Sequence, residues 1–198
     1  MRVTKRRAQT RARLLDAAFR VFAAKGFGPA RIEDVCEAAG YTRGAFYSNF
    51  ASLDELFFAL YDERAAVIAA QVGDALTADG PAPLEPSIHA VIARTAATLL
   101  LDRDWLLVKT DFLLYAARRP EVATRLAAHR DELRGAIEAR LGAVQGRLAL
   151  PTGVADVPAA AHAVVAAYDG VTVQLLLDGN VPAAREWLTQ LLTALLVR

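Results

Sequence analysis

The stretch that decides the fold runs from Arg31 to Phe50 and reads RIEDVCEAAGYTRGAFYSNF. Its first half spaces apolar residues at i, i+3, i+4 and i+7, which forms one helical face; these residues are Ile32, Val35, Cys36 and Ala39. Gly40 follows, and glycine adopts at low cost the positive φ that ends a helix. Thr42 then stands where an N-cap belongs, while Phe46 and Phe50 share one face of the next helix. The sequence therefore predicts two short helices joined by a tight turn.

The second helix carries small and polar side chains beside its two phenylalanines. These candidate contacts are Thr42, Arg43, Gly44, Ala45, Tyr47, Ser48 and Asn49. Arg43 can bind a guanine edge through two hydrogen bonds or neutralise a phosphate, and both interpretations stay open. Gly44 suits either a close approach to DNA or a local packing demand. This layout is typical of a DNA-binding helix-turn-helix.

Charge is unevenly distributed along the chain. Residues 1–50 contain ten Lys or Arg against four Asp or Glu, a net charge of +6, and the other 148 residues contain 13 against 18, a net charge of −5. A basic N-terminal quarter predicts a polyanionic partner for that part alone. Residues 1–9 are basic and poor in apolar groups, so we expect a mobile arm whose Lys5, Arg6 and Arg7 contact phosphates.

The rest of the chain has helical periodicity, and no stretch alternates in the strand pattern. The first helix is predicted at about Thr10 to Lys25. A capping box starts the fourth, in which Ser52 accepts from the Glu55 amide and the Glu55 side chain bonds back to Ser52. After the breaker-rich residues 78–83, further helices are predicted at about 85–101, 104–117, 120–148, 158–177 and 182–198.

The predicted fold class is therefore all-α, with about nine helices. We expect an N-terminal helix-turn-helix domain over residues 1–51. The larger C-terminal domain is expected over residues 52–198, with its first helix, at about 52–77, connecting the two domains.

The last two helices, at about residues 158–198, are the most apolar. The eighth presents the small residues Ala163, Ala166, Ala167 and Gly170, and the ninth has a broad leucine-rich face. Both could be buried in the chain's own core, or they could pair with the same helices of a second copy. Pairing is favoured, because a dimer places two recognition helices on one duplex.

Other classes of protein find little support. The one cysteine, Cys36, excludes an internal disulfide and favours a cytoplasmic location. No run approaches 18 uninterrupted apolar residues, so we expect no transmembrane helix. The three histidines, His89, His129 and His162, lack metal-ligand spacing, and no catalytic or cofactor motif is visible, so we expect no metal, cofactor or enzymatic activity.

Several markers in residues 14–57 recur at family spacing: Ala17-Ala18, Phe22, Gly26-Phe27, the run AAGYTRGAFYSNF, and Asp54 to Phe57. Together they resemble the N-terminal domain of the tetracycline-repressor (TetR) family. The resemblance implies a homodimeric repressor that binds a palindromic operator in double-stranded DNA and responds to a small-molecule effector. Two departures are expected to weaken phosphate contacts: Leu53 replaces the family's usual Lys, and Ala30 its usual Thr or Ser.

An effector pocket would lie in the larger domain. Its candidate lining residues are aromatic or polar groups on otherwise apolar helices: His89, Trp105, Phe112, Tyr115 and Tyr168. Each is also a common core residue, but together they suggest a partly aromatic, hydrophobic cavity. Asp111 would suit a cationic ligand or lie exposed. A ligand-independent DNA-binding dimer remains the alternative, and a helical enzyme the weaker one.

Overall fold

A computed structural model describes residues 2–77, 88–98, 102–143, 150–151 and 153–197. Within these ranges the chain forms nine α-helices and no strand, which confirms the predicted all-α class. The helices are α1 (Arg2–Lys25), α2 (Ile32–Ala39), α3 (Arg43–Tyr47), α4 (Leu53–Thr77), α5 (Ile88–Thr98), α6 (Arg103–Ala117), α7 (Pro120–Ala143), α8 (Val157–Asp178) and α9 (Val181–Leu196). The predicted breaker at 78–83 and the predicted ends of the fifth and seventh helices lie outside the described residues.

The chain folds into two compact units that alternate along the sequence. The N-terminal unit contains the residues up to Arg64 together with Asp104–His129, and the C-terminal unit contains Ala65–Arg103 and the residues from Arg130 onward. Helix α6 therefore belongs with α1, α2 and α3. The predicted domain boundary at residues 51 and 52 stays a prediction.

An aromatic cluster forms the core of the N-terminal unit. The ring of Phe27, between α1 and α2, lies 4.7 Å from the rings of both Phe112 and Tyr115 on α6, measured between centroids. Phe57 of α4 stacks on Phe112 at 3.5 Å, and Phe22 lies 5.1 Å from Phe27. Each such pair adds about 0.5–1.5 kcal/mol beyond the burial of its apolar area. This cluster connects α4 and α6 to the loop that precedes the helix-turn-helix.

A hydrogen bond to the Asp111 carboxylate also connects α6 to the loop after α1. The carboxylate accepts this hydrogen bond from the backbone N–H of Phe27. The neighbouring Gly26 has a φ of +81°, and a Cβ added there would lie 3.0 Å from the carboxylate of Asp111. The positive φ favours glycine here, and any other residue would also crowd the Asp111 carboxylate.

Two sequence predictions need correction. Helix α1 begins at Arg2, not near Thr10, so residues 2–9 are helical where a mobile arm was expected. Arginine, lysine, alanine and glutamine favour helix and no breaker interrupts them, so their propensity prevails over the basic composition. At the start of α4, Ser52 accepts from the Glu55 amide at 3.1 Å as predicted, but the Glu55 carboxylate accepts from the N–H of Ala51 at 2.6 Å, not from that of Ser52.

In the C-terminal unit, α8 packs against α9, and α9 packs against α5. Asp156 caps α8 as predicted, accepting from the Ala159 N–H at 2.8 Å, and Gly179 ends the helix at a φ of +67°. Asn180 then caps α9. The buried faces of α8 and α9 are lined by Val157, Ala160, Ala161, Val171, Thr172, Leu175, Ala184, Leu188, Leu192 and Leu196.

Among the described helices, α8 alone is long and apolar enough to cross a membrane by length and composition. About a third of its apolar stretch is buried inside the folded chain. One face of α8 packs against α9. Asp169 of α8 pairs with Arg130 of α7 at 2.6 Å, and both side chains are about one-third exposed. A paired carboxylate in the middle of the helix is costly in a bilayer and ordinary in a folded domain.

Candidate nucleic-acid interface

The turn between α2 and α3 is formed by backbone hydrogen bonds around Gly40. This glycine has a φ of +69°, and its N–H donates to the carbonyl of Glu37 at 3.1 Å. The N–H of Tyr41 donates to the carbonyl of Cys36 at 2.9 Å. This pair of bonds is the Schellman motif, which satisfies the last carbonyls of a helix and needs a left-handed residue. The predicted turn is therefore present.

Helix α3 is capped and anchored as its sequence predicts. The Thr42 hydroxyl accepts from the Ala45 N–H at 3.3 Å, an N-cap worth about 1 kcal/mol. Phe46 and Phe50 are almost completely buried, and the guanidinium of Arg11 on α1 lies 4.4 Å from the centre of the Phe50 ring. Cys36 is also buried, and this burial raises the pKa of its thiol. These anchors fix α3 against α1 and α2.

The remaining α3 side chains face solvent or lie at its edge. Thr42, Arg43, Gly44, Tyr47 and Ser48 are exposed, whereas Ala45 and Asn49 are half-buried. The amide nitrogen of Asn49 donates to the carbonyl of Ala45 at 2.8 Å, so this group is engaged within the helix. The exposed residues form a small polar surface that a DNA duplex can approach.

Arg43 is held by two neighbours. Its Nη1 lies 2.8 Å from Oε1 of Glu33 on α2, and its Nη2 donates to the Tyr47 hydroxyl at 3.2 Å. The hydrogen bond to Tyr47 and the charge of Glu33 raise the pKa of Arg43 above its usual value. The role of Glu33 has no signal in the sequence, because two residues ten apart across a turn have no fixed geometry until the conformation of the turn is known.

The basic end of α1 lies beside α3. Lys5, Arg6 and Arg7 are exposed there, and Arg7 Nη2 donates to the carbonyl of Ser48 at 3.1 Å. Between the two helices lies an open cleft of about 500 Å³, lined by Arg6, Arg7, Gln9, Thr10, Tyr41, Ala45, Ser48 and Asn49. A hydrogen bond with Thr10 is the main cause that lowers the pKa of Tyr41 in this cleft. The arrangement concentrates positive charge and hydrogen-bond donors on one surface, as phosphate binding requires.

The five candidate effector residues belong to different units. Trp105 and Phe112 are buried in the aromatic core of the N-terminal unit, where Tyr115 is half-buried. Burial, and then the charge of Asp54, raise the pKa of Tyr115. His89 on α5 is exposed and Tyr168 on α8 is half-buried, and both belong to the C-terminal unit. The assignment of these residues to an effector pocket stays a prediction.

A capped helix-turn-helix with an exposed arginine, beside a basic helix end, defines a DNA-binding protein of the helix-turn-helix class. Comparison with known families agrees. The model of the bacterial regulatory proteins of the tetR family matches residues 14–60, and that of the BetI-type transcriptional repressor C-terminal domain matches residues 84–197. The chain therefore belongs to the TetR family of transcriptional regulators.

Solved structures show the same fold over nearly the whole chain. The multidrug binding protein EbrR, complexed with imidazole, is 30% identical, with a TM-score of 0.61 and coverage of 92% of this chain and 89% of that one. A transcriptional regulator from Rhodococcus sp. Rha1 is 20% identical, with a TM-score of 0.70 and coverage of 93% and 95%. At that identity, the second likeness concerns the fold alone.

Curated relatives match over part of the chain. The regulator TtgR of Pseudomonas putida is 44% identical over 63 residues, which cover 31% of this chain and 30% of TtgR. AcrR of Shigella flexneri is 39% identical over 62 residues, which cover 31% and 29%. The chain therefore matches about a third of the length of these relatives.

Proposed function

We propose that this protein is a homodimeric transcriptional repressor that binds a palindromic operator and is released from it by a small-molecule effector. The observation that carries the proposal is the exposed Arg43, held on a capped α3 beside the basic end of α1. Such a protein acts where the DNA is, so its location is the cytoplasm.

In the proposed complex, α3 enters the major groove and Arg43 donates two hydrogen bonds to a guanine edge. Thr42 and Tyr47 donate their hydroxyl protons to phosphates along the groove. Ser48 and Asn49 both donate to the Ala45 carbonyl in the free protein, so each joins this set only by exchanging that hydrogen bond for one to a phosphate. Lys5, Arg6 and Arg7 add salt-dependent attraction from α1. These roles follow from exposure and chemistry.

Gly44 supports a close approach of α3 to DNA. A Cβ added there would meet only the Thr42 hydroxyl, at an ordinary 3.7 Å, so the packing of this protein does not require glycine. Its φ is also not positive, so conformation does not require it either. Contact with the duplex is then the better reason for accepting a glycine in a helix, together with Ala45 against a thymine methyl.

An apolar stripe on α8 and α9 supports the homodimer. It is formed by exposed residues at helical spacing: Ala166, Gly170, Val173 and Leu177 on α8, and Trp187, Leu191 and Ala194 on α9. Leu177 is 81% exposed and Trp187 is 61% exposed, which is unusual for such large apolar side chains. A second copy would bury both and bring the two α8 helices close at Gly170.

The dimer has a direct test. Leu177→Glu should convert the protein to a monomer on size-exclusion chromatography, because a charge would be buried at the interface. Leu114 of α6 is 52% exposed and outside the stripe, so Leu114→Glu is the matched control and should remain dimeric. A dimeric Leu177→Glu variant would contradict the proposed interface.

The effector is proposed to be a small molecule bound in the helical C-terminal part of the chain. Proteins of similar fold have been solved with imidazole, choline and stearoyl-CoA, and the first of them is named as a multidrug binding protein. Because Trp105 and Phe112 already pack in the aromatic core of the N-terminal unit, the half-buried Tyr168 of the C-terminal unit is the first candidate to change.

The experiment that tests the function is an electrophoretic shift with the intergenic DNA upstream of the protein's own gene. We expect a salt-sensitive complex that Arg43→Ala weakens. Apolar and cationic small molecules are then screened for release of the complex. No shift with any upstream DNA would contradict the repressor; a shift that no molecule releases would favour the ligand-independent dimer.

A further inference from the structure

The contacts of Arg43 point to a second residue that governs DNA recognition. We propose that Glu33 is a specificity determinant: it holds the Arg43 guanidinium in the orientation that reads a base edge and keeps it from binding phosphate. This inference rests on the proposed function, because it concerns how the same helix-turn-helix chooses its DNA.

The two partners of Arg43 hold its guanidinium from two helices, one from α2 and the other from α3 itself. Glu33 on α2 binds Nη1 at 2.8 Å, and the Tyr47 hydroxyl on α3 accepts from Nη2 at 3.2 Å. A guanidinium has five N–H donors, so these two bonds leave three, and guanine needs two. The side chain is therefore oriented before DNA arrives and still has the donors that recognition requires.

Stability does not explain this arrangement. The side chains of Arg43 and Glu33 are 60% and 55% exposed, and ion pairs this exposed contribute little to folding. An arginine without such partners would sample many rotamers and would bind the nearest phosphate by charge alone. The effect of the pair is therefore expected in binding, as a smaller loss of side-chain freedom when Arg43 meets its base.

The charge of Glu33 also acts against binding without sequence preference. A carboxylate next to the reading arginine is repelled by every phosphate backbone, whatever the sequence. Only a site that gives Arg43 its two hydrogen bonds offsets that repulsion. Glu33 should thus lower affinity for unrelated DNA more than affinity for the operator, which is how a repulsive element increases specificity.

Glu37 offers a matched control on the same helix. It lies one turn after Glu33 on α2, is exposed and carries the same charge, but it is not one of the contacts described for Arg43. Glu37→Gln removes the same charge and leaves the Arg43 arrangement in place. Tyr47→Phe is the complementary variant, since it removes only the hydroxyl that accepts from Nη2.

The test selects DNA from a pool of duplexes with about 30 randomised base pairs, long enough for two half-sites one helical turn apart. The wild-type chain, Glu33→Gln, Glu37→Gln, Tyr47→Phe and Arg43→Ala are each used for selection. Affinities for the wild-type selected duplex and for one unrelated duplex are then measured against salt concentration.

Arg43→Ala identifies the base pair that Arg43 reads. We expect Glu33→Gln to reduce preference at that same base pair about five- to ten-fold, to bind the unrelated duplex several-fold tighter, and to steepen the salt dependence by about one per protomer. Tyr47→Phe should reduce the same preference to a smaller extent. Glu37→Gln should leave every base preference unchanged.

Three outcomes overturn the inference. Unchanged base preferences in Glu33→Gln, or an equal change in Glu37→Gln, would mean that Glu33 acts only as a charge. Loss of preference at a different base pair would mean that Glu33 reads a base itself. If the wild-type chain enriches no duplex, the proposed function fails and the inference fails with it.

Discussion

Replacing Phe112 with alanine should destabilise the N-terminal unit. The ring is completely buried and stacks on Phe57 with 3.5 Å between centroids; Phe27, Phe58 and Tyr115 lie at 4.7, 5.3 and 5.6 Å. Truncating a buried phenylalanine costs about 3–5 kcal/mol, because the lost transfer energy is joined by the energy of the cavity. In a chain of this size, 1 kcal/mol shifts the Tm by about 2–4 °C, so the Tm should fall by about 6–20 °C.

The assay is urea unfolding followed by tryptophan fluorescence. Trp105 reports on this core because its ring lies 6.4 Å from that of Phe57. The control is Leu113→Ala on the next residue of α6, a side chain 45% exposed, which should stay within about 0.5 kcal/mol of the wild type. If Phe112→Ala keeps wild-type stability and loses only its response to an effector, Phe112 is a ligand contact and the packing account is wrong.

Three further variants or probes test single features. Asp111→Ala leaves the Phe27 N–H without its acceptor, so the native state should lose about 1–3 kcal/mol and hydrogen exchange at that amide should accelerate. Gly44→Ala should stabilise α3 by about 0.5–1 kcal/mol in thermal melts, yet weaken duplex binding in fluorescence anisotropy, because the added methyl group lies at the proposed DNA surface. Cys36 should react slowly with a thiol reagent at pH 8 in the native protein and rapidly in urea, because burial limits access and raises the pKa of its thiol.

Each of these expectations has a clear contrary result. Unchanged exchange at the Phe27 amide would mean that Asp111 does not hold the loop after α1. A Gly44→Ala variant that binds DNA as well as the wild type would remove the argument for close approach. Equal labelling rates of Cys36 in native and unfolded protein would show that the thiol is accessible.

Features that depend on neighbouring residues could be predicted from the sequence. Gly40 ends α2 and Thr42 caps α3 because each acts within about four residues of itself. Phe46 and Phe50 are buried because a four-residue spacing places both on one face. The same local rules indicated the nine helices and, through Asp156, the start of α8.

Features that depend on distant residues could not be predicted. Phe27 and Asp111 are 84 residues apart, and nothing in either segment indicates that α6 packs behind the helix-turn-helix. The contact between Glu33 and Arg43 likewise depends on the angle at which α2 and α3 cross the turn. The predicted start of α1 is wrong for a different reason. Residues 2–9 are basic, but their helix propensity is high enough for α1 to begin at Arg2.

In the proposed complex, α2 and α3 of each chain form one half of a two-fold DNA-binding surface. The most direct measurement is the mass of the protein–DNA complex by size-exclusion chromatography with light scattering, using the selected duplex and a duplex that keeps only one half-site. We predict two chains on the full site, much tighter binding there than on the half-site, and loss of that difference in affinity in Leu177→Glu. One chain per duplex, or equal affinity for full and half-sites, would contradict it.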